Sequence, residues 1–231
     1  MHIEILVEDS SGAKLLETLI PKIIGEHGAP HTWNLHSYKG VGRIPKNLNS
    51  SPDPAKRILL DRLPRILAGY GKTPGIDAVV VLLDADKRNC VEFLAELRTL
   101  HEGCQPTPKT LFRLAIEEIE AWYLGDPEAL RQAFPRTTRP KWVLLRKYVP
   151  DSQCNTWEFL ADIVYPGGAS VIKKKGWPLP GQIKHDWAQK VGPLLVVERN
   201  RSPSFKKLCS GLLRLISEWK PQTTGNSAPE L

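Results

Sequence analysis

The sequence predicts an α/β protein, in which helices cover both faces of a parallel sheet and a mainly helical, basic part follows. Three observations lead to this prediction. Apolar runs of strand length alternate with segments of helical periodicity up to about residue 135, and the strand signal disappears beyond that point. The run of five apolar residues at 79–83 is typical of a strand buried on both faces. Strands joined by helices pair in parallel, so their carboxyl ends meet at one edge.

The first 70 residues predict two strands and two helices. "HIEILV" alternates as a strand does, and apolar residues then recur at helical spacing after Ser10 or Ser11, either of which can cap the helix. "HTWNLHSYKG" is expected to form the second strand, and the Gly, Pro, Asn and Ser residues of "VGRIPKNLNSSPDP" predict a loop. Residues 54–70 have helical periodicity, with a kink or break expected at Pro64.

The middle of the chain repeats the alternation of strand and helix. "DAVVVLL" predicts a buried strand, "NCVEFLAELRTLHEG" predicts a helix, and "KTLFRLAIEEIEAWYLGD" begins as a strand and becomes helical near Glu117. These patterns divide the chain into an α/β core at 1–135, a helical extension packed on it at 136–220, and a polar, disordered tail at 221–231. The helices of the extension are expected in "RPKWVLLRKY", "TWEFLADIVY", "QIKHDWAQKVGPLLV" and "SPSFKKLCSGLLRLISEW".

The charge of the chain is distributed unevenly. Its formal net charge is +7, but residues 1–135 carry 16 basic and 18 acidic side chains, whereas residues 136–220 carry 16 and 6. Such a basic surface attracts polyanions, of which nucleic acid is the commonest in a cytosol. The four cysteines lack metal-binding or redox spacing and are expected to be reduced thiols of a cytoplasmic protein. We expect neither export nor membrane insertion, because no leader pattern and no apolar window of about 18 residues occurs.

Carboxylates follow two of the predicted strands. Asp84 and Asp86 come at the end of the buried strand, and Glu8 comes at the end of the first. Neighbouring carboxylates at a buried edge suffer desolvation and repulsion, and a divalent cation removes both costs. The sequence therefore indicates a site for Mg²⁺ or Mn²⁺. The ordinary alternative is that Asp84 caps the next helix while Asp86 pairs with Lys87 or Arg88 in solvent.

A second acidic stretch, at residues 115–130, has helical spacing. Glu117 and Glu120 are three residues apart and are expected to share one face, whereas Glu118 points elsewhere. The ordinary reading of such a turn is a solvated helix face.

The strand-and-acid pattern resembles the Toprim domain. "ILVED", a helix and then "VVVLLDAD" match the order of its motifs, which occur in topoisomerases, bacterial primases, a small ribosomal-RNA maturation nuclease and nucleases of the OLD type. "EDSSGAKLL", "AIEEIEAWYLGDPEAL" and "RNRSPSF" are similar to a family of small uncharacterised Toprim-like proteins. Genes of that family often lie beside genes for ABC/AAA-type ATPases in phage-defence loci. The resemblance implies a Mg²⁺-dependent nuclease, with such an ATPase as partner.

The resemblance assigns roles to individual residues. The family glutamate falls on Glu8, its Asp-x-Asp on Asp84 and Asp86, and its Glu-Ala-Trp on Glu120. These four residues are the expected catalytic set, and Glu120 is expected to bind metal or to orient a water.

One departure from relatives of the OLD type concerns the segment after Glu8. Many of those relatives have a glycine after the glutamate and a second acid four residues after it, whereas this chain has Asp9 and Gly12 at those positions. One metal ligand is therefore either missing or supplied by Asp9, which bears on a two-metal mechanism.

Basic residues on several segments are candidates for nucleic-acid binding. A lysine also serves to neutralise a phosphoryl transition state, with Lys87 nearest in sequence and the lysines at 173–175 favoured sterically. The ordinary alternative for a lysine run is a solvated loop. Trp177 is the one tryptophan that is expected to stack on a base. The predicted nucleic-acid-binding residues are Lys39, Arg43, Lys173, Lys174, Lys175, Arg199, Arg201 and Lys206.

The sequence supports a metal-dependent nuclease acting on DNA or RNA, and it leaves two other hypotheses open. The first is a catalytically inactive Toprim scaffold that binds nucleic acid or an ATPase as a regulatory subunit, for which Gly12 is the best support. The second is a receiver-like phosphoacceptor pocket. The loop "SYKGVGRIPK" lacks the P-loop pattern, so we do not expect the chain itself to be an ATPase. A homo-oligomer is compatible with the sequence.

Overall fold

The computed structural model describes residues 1–45, 53 and 56–220. Its sheet confirms the predicted α/β class, because four strands pair in parallel in the order β2-β1-β3-β4. Three predicted strands are found close to their expected positions, and the fourth ends before Glu117. The strands are β1 (His2–Val7), β2 (Thr32–Ser37), β3 (Ala78–Asp84) and β4 (Lys109–Ala115).

Helices follow each strand, and the described part of the chain after residue 115 consists of helices and the loops that connect them. One of them, α8, was not predicted as a separate helix, and it carries the lysine run at its end. The helices are α1 (Ser10–Ile24), α2 (Leu59–Tyr70), α3 (Cys90–Glu102), α4 (Glu120–Leu124), α5 (Pro127–Ala133), α6 (Arg139–Arg146), α7 (Thr156–Val164), α8 (Gly168–Lys175), α9 (Leu179–Val191) and α10 (Pro203–Ser217). A 3₁₀ turn, Gly192–Leu194, follows α9.

Helix α2 differs from its prediction. It begins at Leu59 rather than at residue 54 and continues without a break through Pro64. Pro64 is buried together with Leu60 and Leu63, so packing against the sheet holds the helix where propensity alone predicted an interruption. Residues 54 and 55, part of the predicted loop, and the tail at 221–231 lie outside the described residues.

The sheet is buried on both faces, as the continuous apolar strands predicted. Alternate residues of β1 and β3 face opposite sides: Ile5 and Val80 pack with α1, α9 and α10, whereas Leu6 and Val81 pack with α2 and α3. The first of these cores includes buried residues from β1 to α10, so the C-terminal helices pack directly on the sheet. None of the described helices is both long and apolar enough to cross a membrane.

Helix caps clarify two expectations about the acids. Asp9, rather than Ser10 or Ser11, caps α1: its Oδ1 accepts a hydrogen bond of 2.8 Å from the backbone N–H of Gly12. Asn89 caps α3 through its side chain, so the alternative that Asp84 caps this helix is wrong. The carboxylate of Asp84 is therefore not used by the helix that follows it.

Candidate active site at the carboxyl edge of the sheet

Three neighbouring strands bring acidic residues together at one edge. Glu8 follows β1, Asp84 is the last residue of β3, and Glu118 and Glu120 come shortly after β4. The backbone N–H of Asp84 donates a hydrogen bond of 3.2 Å to Oε2 of Glu8. This contact follows from the parallel register, in which Val7 lies opposite Leu82 and the two strands end together. The structure thus brings Glu8 and Asp84 into one cluster.

A lysine from the C-terminal part of the chain enters this cluster. Lys184, on α9, places its Nζ 3.0 Å from Oε1 of Glu118 and 3.6 Å from Oε2 of Glu120. The side chain of Glu120 is 0% exposed, and neither of its oxygens has a hydrogen-bond partner. Oε2 of Glu118 is also buried without one. Buried carboxylate oxygens without hydrogen-bond partners are costly, so this cluster favours binding of a cation or protonation of one of its carboxylates.

The prediction that Glu117 and Glu120 share a helical face is wrong. Glu117 precedes α4, and its Oε2 accepts hydrogen bonds from the backbone N–H and the hydroxyl of Thr156 at 3.0 and 3.3 Å. Glu118, which was expected to point elsewhere, joins Glu120 instead. The error arose because α4 begins only at Glu120, so helical spacing does not apply to the residues before it.

Electrostatics reflects an excess of negative charge in the cluster. Burial raises the pKa of Glu8 to about 7, with the charge of Asp86 adding to it and the N–H of Asp84 opposing it. Burial and the charge of Glu120 raise the pKa of Glu118 to about 8. Burial also raises the pKa of Glu120. The pKa of Asp84 is raised by its burial and, in addition, by the negative charges of Glu8 and Glu120.

Lys184 is the counter-charge of this cluster. Its own burial lowers the pKa of its ammonium, but the carboxylates of Glu120 and Glu118 outweigh that effect and raise it. One ammonium against four carboxylates leaves the charge only partly compensated. No local pattern indicated Lys184, because it lies far along the chain and only tertiary packing places it here.

Tyr123 is a further buried group that sequence analysis missed. It lies three residues after Glu120 in α4, its side chain is buried, and its hydroxyl has no hydrogen-bond partner. Burial raises its pKa, and the nearby charges of Glu120, Asp9 and Asp84 raise it further. The sequence signal that could have identified Tyr123 is its position three residues after Glu120, which places the two side chains on one face of a helix.

Asp9 and Asp86 border the cluster. Asp9 is used in capping α1, where it also accepts hydrogen bonds from the Ser11 hydroxyl at 2.8 and 3.0 Å. Asp86 is exposed and has a positive φ of 48°. At Gly12, the position to which the resemblance to nucleases of the OLD type assigns a second acid, an added Cβ would lie 2.6 Å from Cγ1 of Val7. There is no space for that acid here.

The donor chemistry fits a hard divalent cation, although a finished coordination shell is absent. Within residues 1–45, 53 and 56–220, no three His, Cys, Asp or Glu side chains form a group that could hold a metal ion as they stand. The unpartnered oxygens of Glu118 and Glu120 are nevertheless of the type that Mg²⁺ and Mn²⁺ prefer. Binding would therefore require side-chain rearrangement around Lys184.

Comparison with known proteins identifies a family. A family model described as a domain of unknown function, DUF4276, matches residues 7–213. The chain belongs to the DUF4276 family. No curated protein and no solved structure matches it. The matched range begins at the last residue of β1 and includes the other three strands, the acidic cluster and Lys184 of this DUF4276 chain.

The predicted nucleic-acid-binding residues lie at several places in the DUF4276 fold. Lys39 is exposed and lines a cleft beside Glu8, and Arg43 is exposed in the loop that follows. At the end of α8, Lys173 forms an ion pair of 2.9 Å with Glu158, so its charge is partly used. The side chains of Lys174, Lys175, Arg201 and Lys206 are also exposed.

The segment "RNRSPSF" connects α10 with α4. Arg199 forms two hydrogen bonds, of 2.7 and 2.9 Å, with the buried carboxylate of Asp126. The Asn200 amide donates to the backbone carbonyl of Trp122, and the Trp122 indole N–H donates to the hydroxyl of Ser204. These contacts use the guanidinium of Arg199 and fix α4, and with it Glu120, in the DUF4276 fold.

Proposed function

We propose that this protein is a divalent-metal-dependent phosphodiesterase that acts on DNA or RNA. The observation that carries the proposal is the carboxylate of Glu120, which is fully buried, has no hydrogen-bond partner at either oxygen, and belongs to a cluster with Asp84 and Glu118. The ammonium of Lys184, 3.6 Å from Oε2 of Glu120, offsets only part of the cost of burying these carboxylates. Sites that bind and cleave phosphodiesters commonly hold a divalent metal ion, which would supply the missing positive charge here.

Each residue of the cluster has a distinct part in this proposal. Glu8, Asp84 and Glu120 are the oxygen donors for Mg²⁺ or Mn²⁺, and Asp86 lies at the exposed border where substrate arrives. The bound ion would polarise the phosphoryl group and acidify a water. Lys184 holds Glu118 and limits repulsion among the acids.

Exposed cations around the cluster support binding of a polyanion. Lys39 lies beside Glu8 in one cleft, and Lys174 and Lys175 end α8, two residues before the cleft residue Trp177. Such cations neutralise backbone phosphates and make binding dependent on salt. Action as the effector of an ABC/AAA-type ATPase in phage defence is part of the proposal and depends on the resemblance to Toprim-like proteins.

The test combines metal binding with cleavage. Calorimetry with Mn²⁺, and incubation with labelled DNA and RNA, would compare the wild type with Asp84→Asn and Glu8→Gln. Glu92→Gln, an exposed acid in the first turn of α3, is the matched control. We expect both cluster variants to lose cleavage by at least about 100-fold while the control keeps it. Full cleavage by Asp84→Asn would refute the assignment.

An inactive scaffold is the second candidate, and one contact favours it. The ammonium of Lys184 already lies among the acids as an internal cation, and no preformed group of three metal ligands exists in the described residues. A folded wild-type protein that releases no heat with Mn²⁺ and cleaves nothing would support this candidate.

A further inference from the structure

A cleft opens directly beside the acidic cluster. Its volume is about 790 Å³, which is within the range of roughly 300–1,000 Å³ that is usual for small-molecule sites. The loops after β1 and β2 form one side of it, and α9 together with the segment that leads into it forms the other. The lining residues that bear on the argument are Glu8, Lys39, Trp177, Gln182 and His185.

The indole of Trp177 is an exposed but supported wall of this cleft. Trp177 is 82% exposed, the largest value among the exposed large apolar side chains of the described residues. It is supported by Gly181 in the first turn of α9, because a Cβ added there would lie 3.0 Å from Cη2 and 3.4 Å from Cζ3 of the indole. The glycine thus allows the ring to lie against the helix. Because most of the residue remains exposed, the indole is accessible to a planar partner.

Three of the other lining groups complement a nucleotide, and the carboxylates of Asp9 and Asp186 line the same cleft. Lys39 is an exposed cation suited to a phosphate, and Gln182 and His185 offer donors and acceptors for the edge of a base. Aromatic side chains stack on bases of any sequence, because every base has a π face. Within a duplex both faces of a base are already covered by its neighbours, so the indole would stack only on a base that has left the stack.

We propose that this cleft binds an unpaired nucleotide of a nucleic-acid strand, stacked on Trp177, with its phosphate near Lys39. The inference rests on the proposed function, since it identifies the cleft as the substrate site of the same acidic cluster. It specifies the substrate class as single strands, flaps or frayed ends rather than fully paired duplex. The strand would run from Trp177 toward Glu8, which lines the same cleft.

The test measures binding without catalysis. Fluorescence anisotropy in EDTA would use a labelled 12-nucleotide single strand, the same strand with a central run of abasic sites, and a blunt duplex. The proteins compared would be the wild type, Trp177→Ala, Trp177→Phe and Lys39→Ala. Lys72→Ala, an exposed lysine after α2 near the amino ends of the strands, is the control for charge. Trp177 is so exposed that its replacement is not expected to affect folding.

We expect Trp177→Ala to weaken single-strand binding at least about fivefold and Trp177→Phe to retain most of the affinity, as stacking requires. The strand with abasic sites should bind the wild type and Trp177→Ala with equal affinity. Lys39→Ala should reduce affinity and its salt dependence more than Lys72→Ala. Equal affinity of the wild type and Trp177→Ala for the single strand, or tighter binding of the duplex, overturns the inference even if cleavage occurs. Stacking that depends on Trp177 without any cleavage supports the nucleotide site and refutes the hydrolytic function.

Discussion

Replacement of Glu120 by glutamine should stabilise the metal-free protein while impairing metal binding. Glu120 is isosteric with glutamine, so the change removes a charge and adds an N–H donor without altering volume. Both oxygens of Glu120 are buried and lack hydrogen-bond partners, and its nearest cation, Lys184, is 3.6 Å away. Glu118, whose Oε2 is also buried without a hydrogen-bond partner, belongs to the same cluster.

The size of the effect follows from the cost of an unsatisfied buried group. That cost is about 1–3 kcal/mol, and more when the group is charged. The ammonium of Lys184 offsets part of it, so a gain of about 2 kcal/mol is expected for Glu120→Gln. In a chain of 231 residues this corresponds to a rise in Tm of roughly 4–8 °C. Burial raises the pKa of Glu120 above its ordinary 4.5. The wild type therefore bears the cost of a buried charge at Glu120 only when pH rises through this raised pKa and the side chain ionises. The gain should therefore be larger at pH 8.5 than at pH 5.

Urea denaturation in EDTA at these two pH values would measure the difference. Glu117→Gln is the matched control, because Glu117 is also buried but its Oε2 accepts two hydrogen bonds from Thr156. This control should lose about 1 kcal/mol, since a neutral acceptor makes weaker hydrogen bonds than a charged one. Saturating Mn²⁺ should stabilise the wild type more than Glu120→Gln. A Glu120→Gln protein no more stable than the wild type at pH 8.5 would refute the reasoning.

Three further changes test other parts of the structure. Arg199→Ala should lower the free energy of unfolding by about 2–4 kcal/mol, because it leaves the buried Asp126 without its ion pair. An unchanged midpoint in urea denaturation would contradict the structural role of this arginine. Burial raises the pKa of Glu4, but hydrogen bonds from two histidines and an asparagine outweigh this effect and lower the pKa below 4.5. The wild type should therefore lose stability relative to Glu4→Gln as pH falls from 6 to 3.5. Parallel profiles of stability against pH for the two proteins would contradict this. Gly12→Ala should lower Tm through about 1–3 kcal/mol of overpacking against Val7, and a Tm equal to that of the wild type would show that the space exists.

Local patterns were sufficient for much of the fold and for part of the candidate site. The apolar run of β3 predicted a buried central strand, and Glu8 and Asp84 were predicted to meet because parallel strands end at a common edge. Helix boundaries were less accurate. Periodicity placed the start of α4 near Glu117, although the helix begins at Glu120, and this shift exchanged the roles of Glu117 and Glu118.

The sequence alone determined the parallel α/β architecture and the position of the first carboxylates, since both follow from the alternation of apolar and polar residues along short segments. Tertiary structure decided which other groups reach them. Lys184 joins the cluster because α9 packs on α1, and Arg199 turns inward because Asp126 is buried beneath it. Contacts between residues that are distant in sequence depend on how whole helices pack, and spacing along one segment does not contain that information.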